Sequence, residues 1–197
     1  MTQSISRFPL VEDLAALPAD VRERILAVQE KAGFVPNVFL MLAHRPAEFR
    51  AFFAYHDALM ERESTSLTKA EKEMIVVAVS ADHGCLYCVV AHGAILRILA
   101  KDPLIADQVA VNYRTAPISQ RQRGMLDFAL HLAAKRGVLD DAWQTRLESL
   151  GFTLDDIWDI GAIAALFGLS NRLVSMARTP PNDEFYLLGR VPKPAAS

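Results

Sequence analysis

Two cysteines, a histidine and a glutamate between residues 71 and 100 are the side chains of this sequence best placed to do chemistry together. The stretch reads EKEMIVVAVSADHGCLYCVVAHGAILRILA. Cys85 and Cys88 are separated by two residues, His92 lies four beyond Cys88, and Glu73 precedes Cys85 with eleven residues between. Two thiols this close can cycle between dithiol and disulfide. An imidazole nearby can move a proton, and a carboxylate can orient and charge that imidazole. The expected chemistry is that of a redox-active dithiol with a built-in proton relay.

The elements that must position these groups follow from periodicity. After Gly84 the apolar residues Ile95, Leu96, Ile98 and Leu99 return to helical spacing, so Cys85 is predicted at a helix N-terminus with Cys88 in the first turn. On such a helix Cys85, Cys88 and His92 share a face. The free N–H groups and partial positive charge there favour an anion, so at least one thiol should be acidified. A fall from roughly 8.5 to about 6.5 turns a few per cent of thiolate at neutral pH into a majority.

Glu73 belongs to the preceding helix. Thr68 and Glu71 fit a capping box, which gives Glu71 a structural task and leaves Glu73 without one. Glu73 shares a face with Val77, Ser80 and Gly84, where an unpaired carboxylate is costly. In an antiparallel hairpin turning at His83 and Gly84, Glu73 lies about 15 Å down the first helix and His92 about 10 Å down the second, at ~1.5 Å per residue. The glutamate side chain covers the difference, and the expected order is Glu73, His92, then the thiols.

This pattern of Glu, eleven residues, Cys-x-x-Cys, three residues and His resembles the active-site motif of the AhpD-like alkylhydroperoxidases, within the carboxymuconolactone decarboxylase superfamily. The likeness runs over about 25 residues of motif region, and the chain length and helical pattern are similar to the peroxidase-related branch. The resemblance implies an all-α, AhpD-like helical bundle with a central antiparallel hairpin carrying the motif. It implies a peroxidase in which Cys88 attacks peroxide, Cys85 resolves the sulfenic acid to a disulfide, and Glu73 and His92 relay protons. Some members have a relay histidine just before the second cysteine; Tyr87 stands there here, and Tyr87 and His83 are the further relay candidates. The implied partners are a peroxide substrate, an external thiol reductant, and further copies of the chain in a dimer, trimer or hexamer.

The chain has 197 residues, 52% hydrophobic and 22% charged, which suits one globular domain. Its expected divisions are an N-terminal arm over 1–17, a helical core over 18–178 and a C-terminal tail over 179–197. A net charge of −2 offers no footprint for nucleic acid. The N-terminal residues lack the apolar run of a signal peptide, and the stretch Ile160 to Leu169 is half of what a membrane span needs. A cytoplasmic protein is expected. A disulfide across so small a loop would add little stability, so in a reducing compartment the thiols are better read as catalytic.

Helices are predicted from Pro18 to Gly33, Asn37 to Ala43, Pro46 to Met60, Leu104 to Tyr113, Ser119 to Lys135 with a stop at Gly137, Asp140 to Leu150, and Ile157 to Met176. The rings on the third of these read as packing. The small residues Gly161, Ala162, Ala164, Ala165 and Gly168 should let the last of them lie close against the motif helices. Phe8 to Val11 in the arm, and Phe185 to Leu188 in the Pro-marked tail, are expected to bury apolar surface against another subunit. Arg172 and Asn171 are expected near a buried carboxylate such as Asp159.

Other uses of the motif fare less well. A zinc site needs a fourth ligand and no second cysteine pair exists; c-type haem needs His where Val89 stands. A thioredoxin-like unit needs a strand before its dithiol, and nothing here reads as a strand. No cofactor and no metal is expected. The alternative is a decarboxylase-like, disulfide-exchanging or binding member of the same fold, although a lactone decarboxylase has no use for a dithiol.

Overall fold

The computed structural model describes residues 4–11, 13–63, 65–134 and 138–190. After a 3-10 turn at Leu14–Ala16 come ten helices among these residues: α1 Ala19–Ala32, α2 Asn37–Ala43, α3 Pro46–Met60, α4 Lys69–Asp82, α5 Leu86–Ala100, α6 Ile105–Asn112, α7 Gln120–Ala134, α8 Ala142–Ser149, α9 Leu154–Ala177 and α10 Glu184–Leu187. No strand occurs among the described residues. The predicted stop at Gly137 and the prolines at 192 and 194 lie outside them.

The capping box read at Thr68 and Glu71 is formed, and a second closes the start of α9. The Thr68 N–H donates to Glu71 Oε2 at 2.9 Å while the Glu71 N–H donates to Thr68 Oγ1 at 3.1 Å. Thr153 and Asp156 repeat the arrangement at the start of α9. Asp156 also accepts from the Ser66 N–H and the Thr65 hydroxyl, so the start of α9 is tied to the loop that leads into α4.

Helix α4 is the centre of the molecule, with every residue from Glu71 to Ser80 buried. It runs antiparallel to α5 and packs also on α6, α7 and α9. Lys72 is 1% exposed, and its ammonium donates to the carbonyls of Leu59, Met60 and Arg62 at the end of α3. A cation there meets the negative end of α3 and satisfies carbonyls that helix geometry leaves free.

The hairpin turn explains why a cysteine stands at the head of α5. Gly84 takes φ 65°, the Gly84 N–H donates to Ala81 O, and the Cys85 N–H donates to Ser80 O. This is a Schellman closure of α4. Cys85 is at once the residue that completes it and the N-cap of α5.

Two apolar clusters fill the interior. The larger joins the end of α3 with α4, α6, α7, α8 and most of α9. The smaller joins α1, α2, the front of α3, the first turns of α5 and the end of α9, and it contains Cys85, Tyr87 and Cys88. Phe49 and Phe53 are buried in it, with Phe39 stacked on Phe53 at 4.3 Å, so these rings are packing residues.

Helix α9 is longer than its central apolar stretch suggested. Its mean hydropathy of 1.4 over an 18-residue window would suit a membrane span, but 56% of that window is buried in the fold, against α4 and α7. Gly161 faces Leu132 of α7 rather than a motif helix.

The tail also departs from expectation. Phe185 is buried within its own chain, edge-on to Phe34 at 4.9 Å. The buried Arg97 holds the carbonyls of Phe185 and Leu188. Local company thus exists where the sequence showed none, because α10 folds back over α5. The arm docks likewise: the Arg7 N–H donates to Ala177 O and Phe8 stacks on His44.

Candidate active site

Glu73 and His92 meet across the α4–α5 hairpin, with Glu73 Oε2 2.7 Å from His92 Nδ1. The contact fixes the ring and leaves its other nitrogen free for proton transfer. Phe167 of α9 sets its edge against the His92 ring at 4.7 Å between centroids. His56 of α3 lies beyond Phe167, at 6.4 Å. Burial lowers the pKa of His56, against a hydrogen bond to Asp57, and Asp57 is held in turn by both nitrogens of the Arg24 fork.

The two sulfurs are 2% and 1% exposed for Cys85 and Cys88 as residues, and both thiols are free. The Cys85 thiol is brought down to about 7, chiefly by the hydrogen bond from Cys88. Burial works against that shift, and the Cys88 backbone N–H, the Ser175 hydroxyl and the His92 charge add to it. Cys88 is pushed up, first by its hydrogen bond to Cys85 and then by burial and the neighbouring sulfur's charge. The reduced pair therefore shares one anion, which rests on the helix-capping Cys85. Acidification of one thiol was legible in the sequence; its placement on Cys85 comes chiefly from the hydrogen bond that Cys88 gives it.

Two hydroxyls face Cys88. Ser170 Oγ lies 4.0 Å from its sulfur, and Ser80 also bears on it. The Ser80 hydroxyl donates to Asn171 Oδ1 at 3.1 Å, and Asn171 Nδ2 lies 3.0 Å from His83 Nδ1. Asn171 thus pairs with Ser80 and His83, while Asp159 pairs with Arg62 and Arg172 donates to Gly168 O. The sequence reading of Asn171 and Arg172 as partners of Asp159 is corrected: the three residues lie on different faces of α9. The missed signal was the Ser170-Asn171 pair, polar and adjacent, inside an apolar helix.

Tyr87 is buried with its hydroxyl accepting from the Val38 N–H at 3.2 Å and its ring edge-on to Phe185. Burial raises its pKa strongly. The structure therefore brings Glu73 to His92 and Cys85 to Cys88, joins His83 to Asn171, and turns Tyr87 toward α2.

Residues 46–106, which carry all four motif residues, match the carboxymuconolactone decarboxylase family. Over 98% of its length the chain is 63% identical to all of an uncharacterized peroxidase-related protein from Ralstonia eutropha JMP134 with an alkylhydroperoxidase AhpD core, at a TM-score of 0.94. The chain belongs to the AhpD-like carboxymuconolactone decarboxylase superfamily. An uncharacterized peroxidase-related protein from Silicibacter sp. TM1040 is also similar to this AhpD-like chain, at 38% identity over 95% of this chain and 97% of the other, with a TM-score of 0.88. The debrominase Bmp8 shares the AhpD-like fold at 18% identity, over 91% of this chain and 94% of that one, with a TM-score of 0.71. A comparison with curated proteins found no match.

Proposed function

We propose that this AhpD-like chain is a thiol-dependent peroxidase that reduces hydrogen or organic peroxides. The observation that carries the reading is the Glu73–His92 contact at 2.7 Å, set beside a buried cysteine pair that shares one anion. A thiolate attacks the distal peroxide oxygen, the O–O bond breaks, and the relay protonates the departing alkoxide or hydroxide. The resulting sulfenic acid condenses with the second thiol, releasing water and forming the Cys85–Cys88 disulfide. Two thiol equivalents from an external reductant restore the pair.

The resemblance assigns the attack to Cys88 and the resolving step to Cys85. The anion rests on Cys85, so attack by Cys88 requires its proton to pass first to Cys85. Burial of both sulfurs supports a small peroxide over a folded protein disulfide as oxidant. The dithiol argues for a reducing, cytoplasmic setting, and the apolar side chains left exposed on α5 and α10 support a homo-oligomer.

The test is stopped-flow oxidation of the reduced protein by hydrogen peroxide and by an organic hydroperoxide, with thiols counted before and after. Loss of both thiols for each peroxide consumed is expected. A reduced protein that keeps both thiols with either oxidant would refute the reading.

A further inference from the structure

Ser170 of α9 is buried against the dithiol, with its Oγ 4.0 Å from the Cys88 sulfur. Among the described residues that sulfur is the one hydrogen-bond partner of the Ser170 hydroxyl. A buried hydroxyl without a partner is costly, so the sulfur is what makes a serine tolerable in this apolar stretch of α9. Phe167, one turn earlier on α9, sets its edge on His92, and His92 lies one turn beyond Cys88 on α5. One face of α9 therefore meets both halves of the site.

The direction of the Ser170 contact follows from counting protons. A thiol has one and a hydroxyl has one. In the resting pair the Cys88 proton is given to the Cys85 anion, so the Cys88 sulfur has lone pairs alone to offer and Ser170 must be the donor. Attack by Cys88 requires the shared proton to complete its move to Cys85. Charge then appears on a sulfur toward which a hydroxyl proton already points. A hydrogen bond to a charged acceptor is shorter and roughly twice as strong as one to a neutral acceptor, so the contact tightens as the thiolate forms. The donor needs no reorientation at that moment, which is the condition for electrostatic stabilisation to lower a barrier.

We propose that Ser170 is a further catalytic residue of the dithiol, whose hydroxyl donates to the Cys88 sulfur and holds the thiolate there while Cys88 attacks. The step it assists is a proton exchange between the two thiols. The S–H bond of Cys88 breaks, the Cys85 thiolate takes the proton, and the negative charge moves to Cys88. No oxidant or reductant takes part until peroxide arrives. Cys85 is the better acid at rest, and Ser170 offsets part of the cost of placing the anion on Cys88, within the same apolar cluster. The inference rests on the dithiol reading above, but peroxide is not needed to test it.

The experiment titrates Cys88 by itself. In the full-length Cys85→Ser protein the far-ultraviolet thiolate absorbance of Cys88 is followed against pH, with the Cys85→Ser, Cys88→Ser double variant as blank. Tyr87 and His92 remain in every protein compared, so their contributions cancel. Ser170→Ala on this background should raise the Cys88 midpoint by about one unit, a roughly tenfold loss of thiolate well below the midpoint, as expected for losing a hydrogen bond to a charged group. Ser170→Thr keeps the hydroxyl and should hold the midpoint near that of the serine protein. An alanine variant with an unmoved midpoint would overturn the proposal. So would an equal rise in the alanine and threonine variants, which would make Ser170 a packing residue. A protein inert to peroxide whose Cys88 midpoint still follows the Ser170 hydroxyl would refute the peroxidase reading and support this one.

Discussion

Glu73 Oε2 and His92 Nδ1, nineteen positions apart in sequence, stand 2.7 Å apart because α4 and α5 pair antiparallel about a single left-handed residue, Gly84. The carboxylate is buried on the most enclosed helix of the fold, and the imidazole is what makes its burial tolerable. Glu73→Gln and His92→Asn should each slow the reaction with peroxide by about 10²-fold, the lower end of what a positioned acid or base contributes. Since the two act as one unit, the double variant should be scarcely slower than the worse single one. Stopped-flow rates for the three variants check this; fully additive losses would leave Glu73 a structural residue.

The cysteines should separate by role. Cys88→Ser is expected to abolish peroxide consumption, whereas Cys85→Ser should consume about one equivalent and stop as a sulfenic acid, since the resolving thiol is gone. Trapping that acid on Cys85 in the Cys88 variant, at an undiminished rate, would reverse the assignment.

The acidified thiol predicts a pH profile. With Cys85 at about 7, a thiolate lowered below its ordinary value is present above that pH and lost below it. Total alkylation should therefore plateau above about pH 8 and fall roughly tenfold per unit well below the midpoint. A midpoint near the ordinary cysteine value would mean that the hydrogen bond from Cys88 and the helix start do not hold the anion.

Lys72 ties the end of α3 to α4. Lys72→Met would leave the carbonyls of Leu59, Met60 and Arg62 without their common donor, and should destabilise the protein by about 2–3 kcal/mol. Urea unfolding of the reduced variant measures this, and an unchanged midpoint would show that water reaches those carbonyls.

Gly84→Ala should cost about 1–2 kcal/mol, because φ 65° places a Cβ against the following carbonyl. No neighbour lies within 4 Å of that Cβ, so the strain is conformational and not a clash. Thermal unfolding reports the loss, and the Cys85 alkylation profile reports any shift of the N-cap.

Assembly is expected to use the apolar surface where α10 crosses α5. Leu187 is 68% exposed, and Ile98, Leu99, Tyr186 and Leu188 are exposed as well. Sedimentation should find a homo-oligomer at micromolar concentration, and Leu187→Glu should dissociate it. A wild-type monomer under those conditions would remove the idea.

The sequence by itself determined the local part of this structure. Helix α2 runs from Asn37 to Ala43 as read, and both capping boxes are carried by residues three positions apart. The Gly84 turn and the helix-start cysteine are likewise signals within one or two turns of chain. Even the long-range Glu73–His92 pair was legible, because a hairpin constrains which levels of two consecutive helices meet. What only the tertiary structure decided are contacts that depend on how distant helices rotate against one another. Asn171 reaches Ser80 and His83, some ninety positions away, because α9 turns that face to α4, and no periodicity in either helix specifies that angle. Phe185 is buried because the tail returns over α5 and is held there by Arg97. The resting place of the anion belongs with these. Two thiols at one helix start look alike in sequence, and only the N-cap position, the enclosing apolar cluster and the direction of the hydrogen bonds around them make Cys85 the stronger acid.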